Sequence, residues 1–173
     1  MAVGNVSVPD VIYPIEGIKL SATAAGVRYK DRDDLVVIEI SDKATTAVVT
    51  TKNTFCAAPV RVLREHFAKV SPRYLVTNTG NANAGTGADG KRRALDICTA
   101  LAEKAGVDTN TILPFSTGVI GEPLNSDAVI AGLDNALANL TPDSWLAAAN
   151  GIRTTDTIPK LASQKIDVAG TSY

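Results

Sequence analysis

The segment "DLVVIEIS", residues 34–41, is short and rich in β-branched residues, the pattern of a buried strand. Partners for such a strand must come from the flanking segments. "TTAVVTTK" (45–52) reads as the strand beside it, with Asp42 and Lys43 in the turn. "GIKLSATAAGV" (17–27) alternates loosely and breaks at Gly26, and "RYLVTN" (73–78) is a further strand that runs into a Gly/Asn-rich loop at 79–90. "APVRVLREHFAKV" (58–70) is helical, with Val60, Leu63 and Phe67 on one face. "GKRRALDICTALAEKAGV" places Leu95, Cys98, Leu101, Ala102 and Ala105 at helical spacing, and Gly106 suits a left-handed cap.

A further helix begins near Ser126, with Val129, Ile130, Leu133 and Leu137 inward. Another takes Thr141 as N-cap and Pro142 as its first residue, ahead of Trp145, Leu146 and Ala149. The tail "QKIDVAGTSY" alternates like a strand in need of a partner. Hairpin-like strand pairs mixed with strand–helix units argue for an α+β chain, a layered α/β sandwich, rather than a regular dinucleotide-binding fold. The length of 173 residues suits one domain spanning 1–173.

Charge excludes some functions. With a net charge of −1 and scattered Lys and Arg, nothing favours nucleic acid or a membrane surface. "MAVGNVSVPD" has no basic region followed by an apolar run, so no secretory signal is expected there. No apolar stretch approaches the ~20 residues of a membrane span. Cys56 and Cys98 lack metal-ligand spacing and read as buried free thiols of a reducing, cytoplasmic compartment.

Gly85, Gly90 and Lys91 match a phosphate-loop pattern between a strand and a helix. Arg92 stands where a magnesium-binding hydroxyl belongs, and Asp89 would face the phosphates, so the match reads as fortuitous. Those glycines and asparagines serve either a tight chain crossing or a close approach to a ligand.

"PFSTGVIGEP" (114–123) sets Ser116 and Thr117 against Gly118 and Gly121. As nucleophiles these hydroxyls need a base: the one histidine, His66, reads as a surface residue on the solvated face of the 58–70 helix, and a Ser-Lys pair stays open. A hydroxyl followed by a glycine amide instead supplies two neighbouring donors for an oxyanion, which needs no base nearby. Spacing alone is met as simply by a strand-to-helix turn. "IRTTDTIPK" (152–160) either holds a zwitterionic amino acid through threonines, Asp156 and Lys160, or forms a turn before Pro159.

"NTGNANAGTG", "STGVIGEPL" and "TTDTIPK", in that order, resemble the ArgJ-type ornithine acetyltransferases, also called glutamate N-acetyltransferases. The similarity covers nearly the whole chain and also includes "DLVVIEI" and "TKNTFCAAPV". It implies a sandwich of the kind shared with the self-cleaving DmpA-like aminopeptidases, completed by a second chain. Members are made as precursors that cut themselves at an Ala-Thr bond into α and β chains. The new N-terminal threonine of the β chain is the nucleophile.

This sequence is similar to the α chain, and it ends at "AGTSY" before the family's Lys-Gly-x-Gly-Met stretch and cleavage site. The resemblance implies an oxyanion hole at Thr117 and Gly118 and a substrate-binding threonine at Thr154. Arg153 departs from the apolar residue common at that place. The implied reaction is ping-pong transfer of an acetyl group from N2-acetyl-L-ornithine to L-glutamate, in an assembly of two α and two β chains. No bound cofactor is implied, and some members also accept acetyl-CoA as a co-substrate. The rival reading is a related N-terminal-nucleophile aminopeptidase.

Overall fold

The computed structural model describes residues 8–172, so residues 1–7 of the stretch read for a signal and the final Tyr173 lie outside the described residues. Four strands form one sheet in chain order: β1 (Ile18–Thr23), β2 (Leu35–Ile40), β3 (Tyr74–Asn81) and β4 (Ile112–Val119). β1–β2 and β2–β3 are antiparallel, whereas β3–β4 are parallel. The parallel pair needs a crossover, supplied by helix α2 (Gly87–Ala105). Helix α1 (Ala58–Phe67) precedes β3, and α3 (Ser126–Ala138) and α4 (Trp145–Gly151) follow β4.

The residues of β2 alternate between two cores. Leu35 and Val37 join Val62, Val76, Ile97, Leu101, Ile112, Val129 and Leu133 under α1, α2 and α3. Val36 instead packs with Leu20, Ala148 and Trp145 on the α4 side. Each fully buried Leu, Ile or Val stabilises by about 1.5–3 kcal/mol relative to exposure, so the first and larger core dominates. The α+β layered sandwich expected from the segment order is thus present: helices on both faces of a mixed sheet.

Several elements follow the sequence closely. Gly106 closes α2 at φ 68°, and its N–H donates to the Ala102 and Glu103 carbonyls. The Asn125 side chain accepts from the Ala128 N–H at 3.2 Å and caps α3. None of the described helices is long and apolar enough to cross a membrane.

Other expectations are corrected. Residues 45–52 are not a strand, and Val49 is 99% exposed. Both edges of β2 are already hydrogen-bonded, to β1 and to β3, so no place remains for them. The Arg64 guanidinium holds this segment by donating to Thr50 Oγ1 at 2.9 Å and to the Thr51 carbonyl. The buried stripe of α1 is Pro59, Val62, Leu63 and His66, rotated from the Val60–Leu63–Phe67 face.

Thr141 caps no helix. Its backbone exchanges hydrogen bonds with Leu20 at 2.9 and 3.0 Å, extending the β1 edge, and α4 starts only after Ser144. The tail forms a small exposed hairpin, β5 (Asp167–Val168) with β6 (Thr171–Ser172), rather than one strand. Ala169 and Gly170 both have positive φ, as a two-residue primed turn requires. Cys98 is fully buried, which pushes its thiol up to about 12, but Cys56 is only partly buried.

Candidate functional site

β3 and β4 run parallel and end at the same edge of the sheet, the place where parallel strands present backbone and side-chain groups to a ligand. The register pairs Thr79 with Thr117 and Gly80 with Gly118, then slips at Asn81. "STGV" is therefore the end of a strand, not a turn beyond one. Thr117 is half-buried and Gly118 is exposed.

Only glycine fits position 118. Its φ is +138°, and an added Cβ would lie 2.3 Å from the Gly80 carbonyl carbon and 2.5 Å from the Asn81 nitrogen. The two backbones touch there, and the bulge at Asn81 is the consequence.

The asparagine-rich stretch holds this edge in place. Asn78, Asn81 and Asn83 are each at most 5% exposed. Asn78 Nδ2 donates to the Asn81 carbonyl at 2.9 Å, while Ser116 Oγ donates to Asn78 Oδ1, which ties the residue before Thr117 to β3. Asn81 Nδ2 donates to the Glu122 and Pro123 carbonyls at 3.1 and 3.3 Å, beyond the end of β4. Backbone links reinforce the tie, from Ala82 N–H to the Val119 carbonyl at 2.9 Å and from Gly121 N–H to the Ala84 carbonyl at 2.8 Å.

Asn83, at φ 46°, accepts from Thr86 Oγ1 at 3.0 Å and donates through Nδ2 to the Gly90 carbonyl at 2.8 Å. Gly90 has no room for a side chain, because a Cβ there would lie 1.9 Å from Thr86 Oγ1. This close packing is the physical reason for the glycine in the phosphate-loop match. Asp89 pairs with Arg93 and Arg92, whose hydrogen bonds hold its carboxyl below the usual range, and Lys91 pairs with Glu65 at 2.7 Å. Asn83, Thr86, Asp89 and Lys91 of the loop are thus paired within the fold.

Asn83→Ala should destabilise the chain by about 2–3 kcal/mol, because it leaves buried groups without partners. A drop in the urea midpoint with an unchanged slope is the check.

The loop between β1 and β2 is tied to β3 and to the segment after β4. Buried Asp34 accepts from the Ala25, Gly26 and Val27 N–H groups at 2.7–3.2 Å, and its carbonyl accepts from Thr79 N–H at 2.9 Å. Arg28, whose Cβ lies against Gly80, pairs with Glu122 at 2.5 Å and so bridges to the segment after β4.

The turn that holds Thr154 follows α4. By register, Thr79 and Thr117 share the sheet face of Val36 and Leu20, the face on which α4 packs. Gly151, the last residue of α4, approaches Val36, Ala22 and Asp33 at the amino end of β2. In the antiparallel β2–β3 pairing that end lies beside the carboxyl end of β3. Arg32 then donates to the Arg153 carbonyl, fixing the start of the threonine turn.

Arg153, the departure from the family pattern, folds back on its own turn. Its guanidinium donates to the Asp156 and Thr157 carbonyls at 3.3 and 2.8 Å. Lys160 pairs with Asp156 at 2.7 Å and its hydrogen bond lowers that carboxyl's pKa, so these two charges close the turn. Thr117 and Gly118 lie together at the end of β4, and Thr154 lies in the turn after α4, the helix that packs on the Thr117 face.

His66 lies elsewhere. It is 3% exposed, and its Nδ1 lies 2.8 Å from the Ile112 carbonyl, at the opposite end of β4 from Thr117. The surface reading is corrected: one polar contact satisfies the ring and lets it pack between α1 and the sheet. Sequence reasoning also passed over Asn78, Asn81 and Asn83 as structural ties and Thr79 as the neighbour of Thr117. The one available signal was the alternation of asparagine with small residues, which marks side chains aimed inward at backbone.

The ArgJ family model matches residues 19–173. The chain is 86% identical over 173 residues to the arginine biosynthesis bifunctional protein ArgJ of Psychrobacter arcticus, covering all of this chain and 42% of that protein. It is 47% identical over 165 residues to the protein of the same name from Pseudomonas syringae, covering 95% and 40%. The chain thus spans about two fifths of the length of these relatives. Among solved structures, it is similar to an ArgJ protein of Bacillus halodurans, with a TM-score of 0.77 and 29% identity over 91% of this chain and 82% of that one. It is also similar to the ornithine acetyltransferase of Mycobacterium tuberculosis in complex with ornithine, with a TM-score of 0.80 and 27% identity over 85% and 80%.

Proposed function

The chain belongs to the ArgJ family, and from that membership we propose that it is the α chain of an ornithine acetyltransferase, completed by a β chain from the same precursor. The observation that carries this reading is the open edge at Thr117 and Gly118, with the single histidine locked into the core elsewhere. Such an edge offers oxyanion donors without a base. The nucleophile and its base then come from another polypeptide, and an N-terminal threonine brings both, its amine serving its own hydroxyl.

In the proposed reaction the β-chain threonine oxygen attacks the acetyl carbonyl of N2-acetyl-L-ornithine and passes its proton to the amine. The Thr117 hydroxyl and Gly118 N–H hold the negative oxygen of the tetrahedral intermediate. The carbon–nitrogen bond breaks, the ornithine nitrogen takes the proton, and an acetyl-threonine ester remains. The amine of L-glutamate attacks that ester, and the threonine oxygen regains a proton. Thr154 binds the amino-acid substrate. Donors fixed by the Asn78 and Asn81 ties are in place before charge develops, which is what makes them effective.

The name "bifunctional" carried by the relatives supports a second donor, acetyl-CoA, in the same site. As one α domain the chain fits a cytoplasmic assembly of two α and two β chains, and the length of the relatives supports a partner of this kind.

The test is an assay of the complete enzyme with N2-acetyl-L-ornithine and L-glutamate beside one with a dipeptide. Release of ornithine with formation of N-acetylglutamate is expected. Dipeptide cleavage without ornithine release would favour the related aminopeptidase and sink this reading.

A further inference from the structure

We propose that Thr79 is a positioning residue for Thr117, an inference that rests on the oxyanion reading above. Thr79 is fully buried, and its Oγ1 is one of four buried side-chain polar atoms without a partner among the described residues. Of the other three, Ser21 lies on the opposite sheet face, paired with Val37, and Trp145 and Arg153 belong to α4 and its following turn. Of these four, Thr79 is the one paired in register with Thr117, which is paired with Asn81 as well where the register slips.

Paired residues in neighbouring strands project to the same face across a strand spacing of about 4.8 Å. Rotation about χ1 therefore brings the two hydroxyl oxygens within hydrogen-bond reach, as in the threonine pairs that link strands elsewhere. Valine would occupy the same volume with the same β-branched shape and would bury no unsatisfied hydroxyl. A hydroxyl held there at a cost in stability is accounted for if it acquires a partner when the site works.

The bond so formed has a direction. Thr79 Oγ1 donates to Thr117 Oγ1, which leaves the Thr117 proton to point outward beside the Gly118 N–H. Donation into the Thr117 oxygen polarises its O–H and strengthens the bond that it makes to the oxyanion. No proton changes owner, so Thr79 acts on the substrate only through Thr117. Its backbone N–H, fixed on Asp34, keeps the strand in place while the side chain turns.

The experiment compares Thr79→Val, Thr79→Ser, Thr117→Val and the double valine variant in the assembled, cleaved enzyme, using N2-acetyl-L-ornithine and L-glutamate. Thr79→Val is expected to lower kcat about 5–20-fold with less than a twofold change in KM, and to keep or raise the melting temperature. Thr79→Ser should retain most activity. In the Thr117→Val background the second valine should change kcat by less than about twofold, since its route of action is gone.

A normal kcat for Thr79→Val beside a crippled Thr117→Val overturns the inference and leaves the oxyanion reading standing. An equal loss from Thr79→Val in both backgrounds also overturns it, by showing that Thr79 acts through the fold instead. A fully active Thr117→Val overturns both. Should Thr79→Val not assemble, Thr79→Ala takes its place as the variant without the hydroxyl, judged by the same outcomes.

Discussion

Replacing Thr117 with alanine in the assembled, cleaved enzyme is expected to lower kcat about 10²–10³-fold, the about 2.7–4 kcal/mol that one oxyanion donor contributes to a barrier. The effect should fall on kcat more than on KM, because the charge that the hydroxyl meets exists only in the transition state. Stability should change by less than about 1 kcal/mol, since Thr117 is half-buried at the sheet edge and outside both apolar cores. Steady-state kinetics with N2-acetyl-L-ornithine, together with a melting curve, separates the two. Unaltered turnover would remove Thr117 from the site.

The second large effect is Gly118→Ala, and it should appear first in stability. The methyl group would lie 2.3 Å from the Gly80 carbonyl carbon, 2.5 Å from the Asn81 nitrogen and 2.7 Å from the Gly80 oxygen, all backbone atoms. Backbone cannot swing aside as a flexible side chain can. A φ of +138° is also strained for any residue with a Cβ. Overpacking and backbone strain each cost about 1–3 kcal/mol, so a loss of roughly 2–6 kcal/mol is expected, with activity falling as β3 and β4 separate. Equilibrium urea unfolding is the measurement, and a midpoint equal to that of the parent would contradict the close approach of the two strands.

How much of this was legible in the sequence depended on how local the cause was. α2 and α3 follow from periodicity, β2 from a short β-branched run, and Gly106 from the conformation a helix end needs, because neighbours in sequence decide all of these. The segment 45–52 has the composition of a strand but found both edges of β2 taken. That competition involves β1 and β3, tens of residues away in either direction, and no local pattern records it. The burial of His66 was hidden for the same reason. A ten-residue helix carries more than one apolar stripe, and the sheet beneath it chooses which one faces inward.

At the site, the residue types at 116–118 permitted either a plain turn or an oxyanion hole, and only the family resemblance favoured the hole. The structure shows why spacing could not settle it: Gly118 sits in a strand end pressed against Gly80, a geometry fixed by a partner strand some forty residues earlier. The asparagines were visible but their targets were not. Asn81 reaches the Glu122 and Pro123 carbonyls, and Asn83 reaches the Gly90 carbonyl, pairings that exist only once β3, β4 and α2 have come together.

Locating the acetyl group tests the central claim, that this chain stabilises a charge created by another chain's nucleophile. The assembled enzyme is incubated with N2-acetyl-L-ornithine carrying a labelled acetyl group, without glutamate, then quenched, and its polypeptides are mapped by mass spectrometry. The label should sit on the N-terminal threonine of a second polypeptide, with Ser116 and Thr117 of this chain unmodified. Label on either of those two residues would contradict the account.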